Sequence, residues 1–99
     1  MRMIEKLVCQ MNDEVEGAKQ YAEKALLFKA ENDSTWSNRY KEMANDELKH
    51  ATWIHDYTVQ QIDKLKTVYQ TPEEMKEKWE HEHARYVEQV AWVKQMIAM

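Results

Sequence analysis

One glycine, one proline and one cysteine are all that the 99 residues contain of each. With so few chain-breaking residues there is little material for loops, and long helices joined by short turns are what remain. Cys9 stands alone, which excludes an internal disulfide and any zinc or rubredoxin-type site built on Cys-x-x-Cys. Its plain role is that of a small helix residue. No apolar run approaches the length that spans a bilayer. The opening Met1-Arg2-Met3-Ile4-Glu5-Lys6 lacks the uninterrupted apolar stretch of a signal peptide, so a reducing cytoplasm is the expected compartment. Strong charge of one sign is missing too: the net charge is −4 and the isoelectric point near 5.6, which gives no electrostatic footprint for nucleic acid. Glycine-rich phosphate loops, a Walker motif and a Ser-His-Asp pattern are likewise absent.

What is present is helical. Lys, Glu, Ala, Gln and Met abound, and charged residues make up 32% of the chain. Four Trp, five Tyr and seven Met supply more large apolar surface than a disordered chain has reason to carry. Only two places interrupt the helical pattern. At Glu31-Asn32-Asp33-Ser34, either Asp33 or Ser34 can cap the next helix. At Tyr69-Gln70-Thr71-Pro72-Glu73-Glu74, Thr71 reads as the N-cap, Pro72 as the first helical residue and Glu74 as the partner in a capping box. The spacing therefore predicts a single all-α domain over 1–99, with helices at about 2–31, 34–69 and 72–98.

Spacings of three and four give each helix an apolar stripe. The first runs Ile4, Leu7, Met11, Glu14, Ala18, Tyr21, Ala25, Phe28. The second runs Trp36, Tyr40, Met43, Glu47, His50, Ile54, Tyr57. The third runs Met75, Trp79, His83, Tyr86, Val90, Val93, Ile97. Heptad-like seams with short connections favour an antiparallel bundle. Three helices in so short a chain bury their apolar faces poorly, so a second copy is expected.

Charged residues interrupt those stripes. Glu14 sits on the first seam, and Glu47 and His50 occupy adjacent positions on the second. A carboxylate in a bundle core costs several kcal/mol, on the order of a lost ion pair, unless it is paired, protonated or bound to a cation. Facing carboxylates repel unless something positive lies between them, and a divalent metal supplies that charge while a neutral imidazole supplies a nitrogen donor. Residues i and i+3 share a helix face, so Glu47 and His50 can reach one ion. Glu-x-x-His alone is a weak signal among thirteen Glu and four His; its place on a seam, opposite another seam Glu, is the stronger one. The competing explanation is a hydrogen-bonded Glu–His pair, or an ion pair with Lys or Arg of another chain.

Glu14 with Tyr21, followed by Glu47-Leu48-Lys49-His50, resembles the first half of a ferritin-like di-iron bundle. The strings Asp13-Glu14-Val15-Glu16-Gly17-Ala18 and Asn45-Asp46-Glu47-Leu48-Lys49-His50-Ala51 are similar to rubrerythrin and encapsulated-ferritin helices. The resemblance covers residues 10–60. It implies Glu14 as the helix-1 ligand, Glu47 as a bridging carboxylate, His50 as the nitrogen ligand and Tyr21 as a hydroxyl supporting a ligating carboxylate. Full ferritin-like bundles draw one Glu from each of two helices and Glu-x-x-His from each of the others. This chain is half of that, so the resemblance implies a half-ferritin-like protomer (a long hairpin plus a third helix) that forms its bundle as a homodimer or higher homo-oligomer. Four carboxylates and two imidazoles would then hold two irons, with Mn or Zn also compatible with the donors. The implied activity is ferroxidase-type oxidation of Fe(II), with a di-iron peroxidase and a non-catalytic helical assembly protein as the other readings. An enclosing shell protein is implied by the resemblance alone.

The third helix carries its own Glu80-His81-Glu82-His83. The interval from Glu14 to Glu47 equals that from Glu47 to Glu80, 33 residues in each case. Geometry separates them: a hairpin turning near residue 71 sets 47–50 opposite 92–95. Glu80 then lies about 18 Å away at 1.5 Å per residue. Glu80, Glu82 and His83 are candidate ligands, or a cation entry site, if the third helix splays away to dock on a partner or the turn near 71 is not a tight hairpin; otherwise they form a charged turn, with His83 packed beside Trp79 and Tyr86. Glu16, two residues from Glu14, points off the seam and is a candidate for metal uptake. His55 is expected to be partly exposed. Gly17, in mid-helix, costs about 1 kcal/mol against alanine, and close helix approach, room for the site or drift would each account for it.

Overall fold

The computed structural model describes residues 2–68 and 73–99. They form three helices, α1 (Arg2–Ala30), α2 (Ser34–Val68) and α3 (Glu73–Ala98), with no strand among the described residues. The ends of α1, the start of α2 and the end of α3 lie within a residue of the expected positions. The expected end of α2 at Tyr69 and the cap built on Thr71 and Pro72 lie outside the described residues. Glu73 and Glu74 open the first turn of α3, where negative charge meets the positive end of the helix dipole.

The α1–α2 turn is fixed by its own hydrogen bonds. The Asp33 amide donates to the Phe28 carbonyl at 2.9 Å and the Asn32 amide to the Lys29 carbonyl at 3.0 Å, the paired bonds of a Schellman motif. Such a motif needs a left-handed residue just past the helix, and Asn32 supplies it with φ of 63°. Asp33 rather than Ser34 then caps α2, its Oδ1 accepting the Trp36 amide at 3.1 Å. The chain reverses within three residues, and α1 and α2 lie antiparallel.

The α1–α2 interface is lined by small side chains. Ala18, Ala22, Ala25, Ala44 and Ala51 are fully buried. Ser37 is buried with them and donates its hydroxyl to the Ala25 carbonyl at 2.8 Å. Small residues let two helices approach closely, and α1–α2 packing provides most of the inter-helix contact in the molecule. Val93 and Met96 of α3 close one cluster over Ala18, Ala22, Ala44 and Leu48. Tyr86 closes a second over Met11, Val15 and Ala51. This sets Val93 beside Leu48, in the register expected for a hairpin near residue 71. The Lys29 amino group donates to the Met99 carbonyl, tying the end of α3 to α1.

One expectation is corrected. The buried stripe of α2 is Ser37, Ala44, Leu48, Ala51, Thr58 and Ile62, one position beyond the predicted Trp36, Met43, Glu47, His50 and Tyr57. On α1 the stripe includes Val15 and Ala22 where Glu14 and Tyr21 were expected. A one-residue step turns a helix by about 100°. Trp36, Met43 and Tyr57 of the predicted seam are therefore turned out of the core, exposed at 53%, 39% and 48%, while Ile54 still packs against it. Close helix approach selects Ala and Ser for the inner face, whereas periodicity read from large side chains finds the other one.

Asp33→Ala removes the cap of α2 while leaving the Schellman bonds of α1 intact. It is expected to lower unfolding free energy by about 1 kcal/mol, read from the urea midpoint at constant m-value, with Asp33→Asn close to wild type.

Candidate metal centre

Glu14 comes from the middle of α1, and Glu47 and His50 come from successive turns of α2. Both helices turn these side chains to the hairpin face that α3 does not cover. His50 Nδ1 lies 3.5 Å from Glu14 Oε2 and 3.6 Å from Glu47 Oε1. One donor atom from each residue falls within 4.8 Å of the other two, the only such group of three or more His, Cys, Asp or Glu among the described residues. Donors bound at about 2.0–2.2 Å to a single ion stand roughly 3–3.5 Å apart, so small side-chain adjustments would bring all three onto one cation.

The three residues were expected inside the bundle core. Instead they form the lip of the hairpin: the side chains of Glu14 and Glu47 are 25% and 26% exposed and that of His50 is 46% exposed. The desolvation cost argued for a core carboxylate is correspondingly reduced. The carboxylates still disfavour one another. The hydrogen bond between Glu47 and Glu14 comes first among the causes that hold the Glu47 carboxyl above its ordinary value, followed by partial burial and the negative charge of Glu14; His50 opposes the shift and Asp46 adds to it. The two carboxyls thus sit close enough for Glu14 to oppose the ionisation of Glu47, a repulsion that a bound cation would relieve.

Gly17 packs directly beneath the Glu47 carboxylate, and Trp53 lies beside His50 with ring centroids 5.9 Å apart. Neither role was derived from spacing, although Gly17 is one turn from Glu14 and Trp53 one turn from His50. Two carboxylate oxygens, an imidazole nitrogen and a glycine-floored recess fit a divalent transition ion. Three protein ligands leave coordination positions open. Tyr21, expected to support a ligating carboxylate, packs instead against Tyr40 at 6.0 Å, and Tyr40 stacks on Phe28 at 5.4 Å. Among the described residues its hydroxyl makes no hydrogen bond to Glu14 or Glu47.

The remaining candidates do not converge. Glu16 is exposed on α1 and Glu80 on α3. Glu82 accepts a hydrogen bond from the Asn12 side chain at 3.0 Å. His83 packs between Trp79 and Tyr86 as expected, with ring centroids at 5.5 and 6.1 Å. His55 joins that cluster, 5.1 Å from His83 and stacked on Tyr86 at 5.0 Å. Its Nδ1 pairs with Asp56 at 3.0 Å, while its Nε2 is buried with no hydrogen-bond partner among the described residues. A groove of about 580 Å³ between the start of α1 and α3, bordered by Cys9, Met75 and Trp79, includes none of the three convergent residues.

No protein-family model, no curated protein and no solved structure matches this chain. No described helix is long and apolar enough to cross a membrane.

The raised Glu47 carboxyl has a sign that can be measured. A folded-state pKa above the unfolded one gives stability that is present at low pH and lost as pH rises through the folded value. Metal-free Glu47→Gln is therefore expected to melt above wild type at pH 7. The gap should close as pH falls below the ordinary glutamate value of 4.5, as followed by thermal melts in chelator from about pH 3 to about pH 7.

Proposed function

We propose that this chain is a ferritin-like di-iron protein whose metal centre is built between two protomers, and that it oxidises Fe(II). The observation that carries the reading is the convergence of Glu14, Glu47 and His50 on one uncovered face of the hairpin, within 4.8 Å of one another. Their pattern resembles half of a di-iron bundle. A twofold axis through this face would set two hairpins against each other as a four-helix bundle, with each α3 on the outside. Two protomers would contribute four carboxylates and two imidazoles, a donor set whose negative charge two divalent cations neutralise. The exposed apolar residues Trp36, Met43, Trp53 and Tyr57 lie on the same helix as the ligands and offer the surface such an association buries.

Bound iron would supply one-electron chemistry, Fe(II) passing to Fe(III) as dioxygen or peroxide takes up the electrons. The protein's part is positioning and charge. Glu14, Glu47 and His50 would hold the ion together, with Glu47 the bridging carboxylate that the resemblance implies. The mutual repulsion that raises the Glu47 carboxyl would be relieved by a cation, which favours the ionised carboxylates. Mn and Zn accept the same donors, a cytoplasm that keeps iron reduced suits the reaction, and an enclosing shell partner rests on the resemblance alone. The exposed apolar face also favours a second reading, a helical assembly protein in which the metal is incidental.

Anaerobic titration of the apo-protein with Fe(II) is expected to saturate at about one iron per chain. Admitting oxygen should then raise the near-ultraviolet absorbance of ferric iron faster than in buffer, and both effects should vanish in Glu47→Ala and His50→Ala. Binding without accelerated oxidation would leave the assembly reading in place of the enzymatic one. Sedimentation of the same proteins addresses the interface. Wild type is expected to be dimeric, Glu47→Ala still dimeric, and Met43→Glu monomeric, because a charge placed in an apolar interface costs several kcal/mol, roughly the scale of an unpaired buried ion. A wild-type protein that stays monomeric with metal present would sink the two-protomer site.

A further inference from the structure

Gly17 is the only glycine of the chain, and nothing about its backbone calls for one. It lies in mid-helix without a positive φ, where glycine is a poorer residue than alanine. Nor does helix approach require it: Ala18 and Ala22, on the tightest part of the α1–α2 contact, are fully buried with their Cβ atoms in place. What a Cβ at residue 17 would meet is specific. The three nearest atoms all belong to one side chain: Glu47 Oε2 at 3.2 Å, Cδ at 3.8 Å and Cγ at 3.9 Å. The first is tighter than an ordinary contact and the others are not, so an added methyl would press on the carboxylate oxygen alone.

We infer that Gly17 is a positioning residue: its missing side chain forms the seat on which the Glu47 carboxylate lies, with Oε2 down against α1 and Oε1 turned to His50. The seat explains how Glu47 reaches Glu14 on the neighbouring helix and His50 on its own at once. With alanine at 17, Oε2 would have to yield by a few tenths of an ångström, so the adjustment that brings Glu47 onto a shared cation would be made without its seat. The consequence for metal binding rests on the metal-site reading above. The seat itself does not.

The test sets two responses of Gly17→Ala against each other. If the glycine is merely a structural accident, alanine helps the helix and leaves the site alone. If it is the seat, thermal stability of the metal-free protein is unchanged or higher while Co(II) affinity, by calorimetric titration, falls on the order of tenfold, at the lower end of what supporting residues of metal sites contribute. Glu47→Asp withdraws the carboxylate from residue 17, so the loss caused by Gly17→Ala should shrink or disappear in the Glu47→Asp background. Wild-type affinity in Gly17→Ala, or losses that simply add in the double variant, would overturn the inference. Should wild type bind no Co(II), the metal-site reading fails, and side-chain carboxyl ¹³C resonances of the apo-proteins decide the seat. Glu14 and Glu47 resonances that both move in Gly17→Ala support it, and unmoved ones reject it.

Discussion

Everything in this molecule hangs on how closely α1 and α2 approach each other. Alanines at 18, 22, 25, 44 and 51, fully buried, let the two backbones come together along most of their length, and the Ser37–Ala25 hydrogen bond fastens the hairpin near its turn. A contact that selects small residues for its own line must put the large ones elsewhere. One set, including Met11, Val15 and Leu48, turns toward α3 and forms the core. The other turns the opposite way, and the carboxylates and imidazole go with it. The convergence of the three side chains is thus a by-product of a packing rule: with bulkier residues at 18 or 44, Glu14 and Glu47 would stand farther apart.

That rule also marks where reading the chain succeeds and where it misleads. The helices were legible because so little in the sequence can break them, and the end of α1 was visible in Asn32-Asp33, whose side chains favour left-handed and capping conformations. The association of Glu14 with Glu47 and His50 was legible as well, since a hairpin turning near residue 33 leaves few other registers. The direction in which the trio faces was not. Apolar periodicity weights a tryptophan above an alanine, so the stripe through Trp36, Met43 and Tyr57 outscored the one through Ser37, Ala44 and Ala51, although the second is what the protomer buries. Gly17 left close approach, room for the site and drift open alike, because the choice among them depends on an atom 30 positions along the chain. His55 needed the third helix in place before its stacking on Tyr86 could be seen.

The trio and the His55–His83 cluster contrast in chemistry as well as place. Around Glu14, Glu47 and His50 the donor atoms are partly exposed and lie within 4.8 Å of one another. Around His55 and His83 the partners are Trp79 and Tyr86, flat aromatic surfaces that pack two imidazoles as they would two phenyl rings. Both clusters contain histidine and both sit near a glutamate. Only the first leaves its lone pairs directed at space a cation could occupy.

Covering one side of the hairpin with α3 has a consequence for assembly. A bare hairpin with apolar residues on both sides could stack copy upon copy without limit, each layer presenting a fresh face to the next. α3 occupies one side permanently, through Tyr86, Val93 and Met96. The side it leaves bare carries Trp36, Met43 and Tyr57, and two chains that met through it would use it up. The third helix would therefore limit association through that face to a pair rather than a fibre.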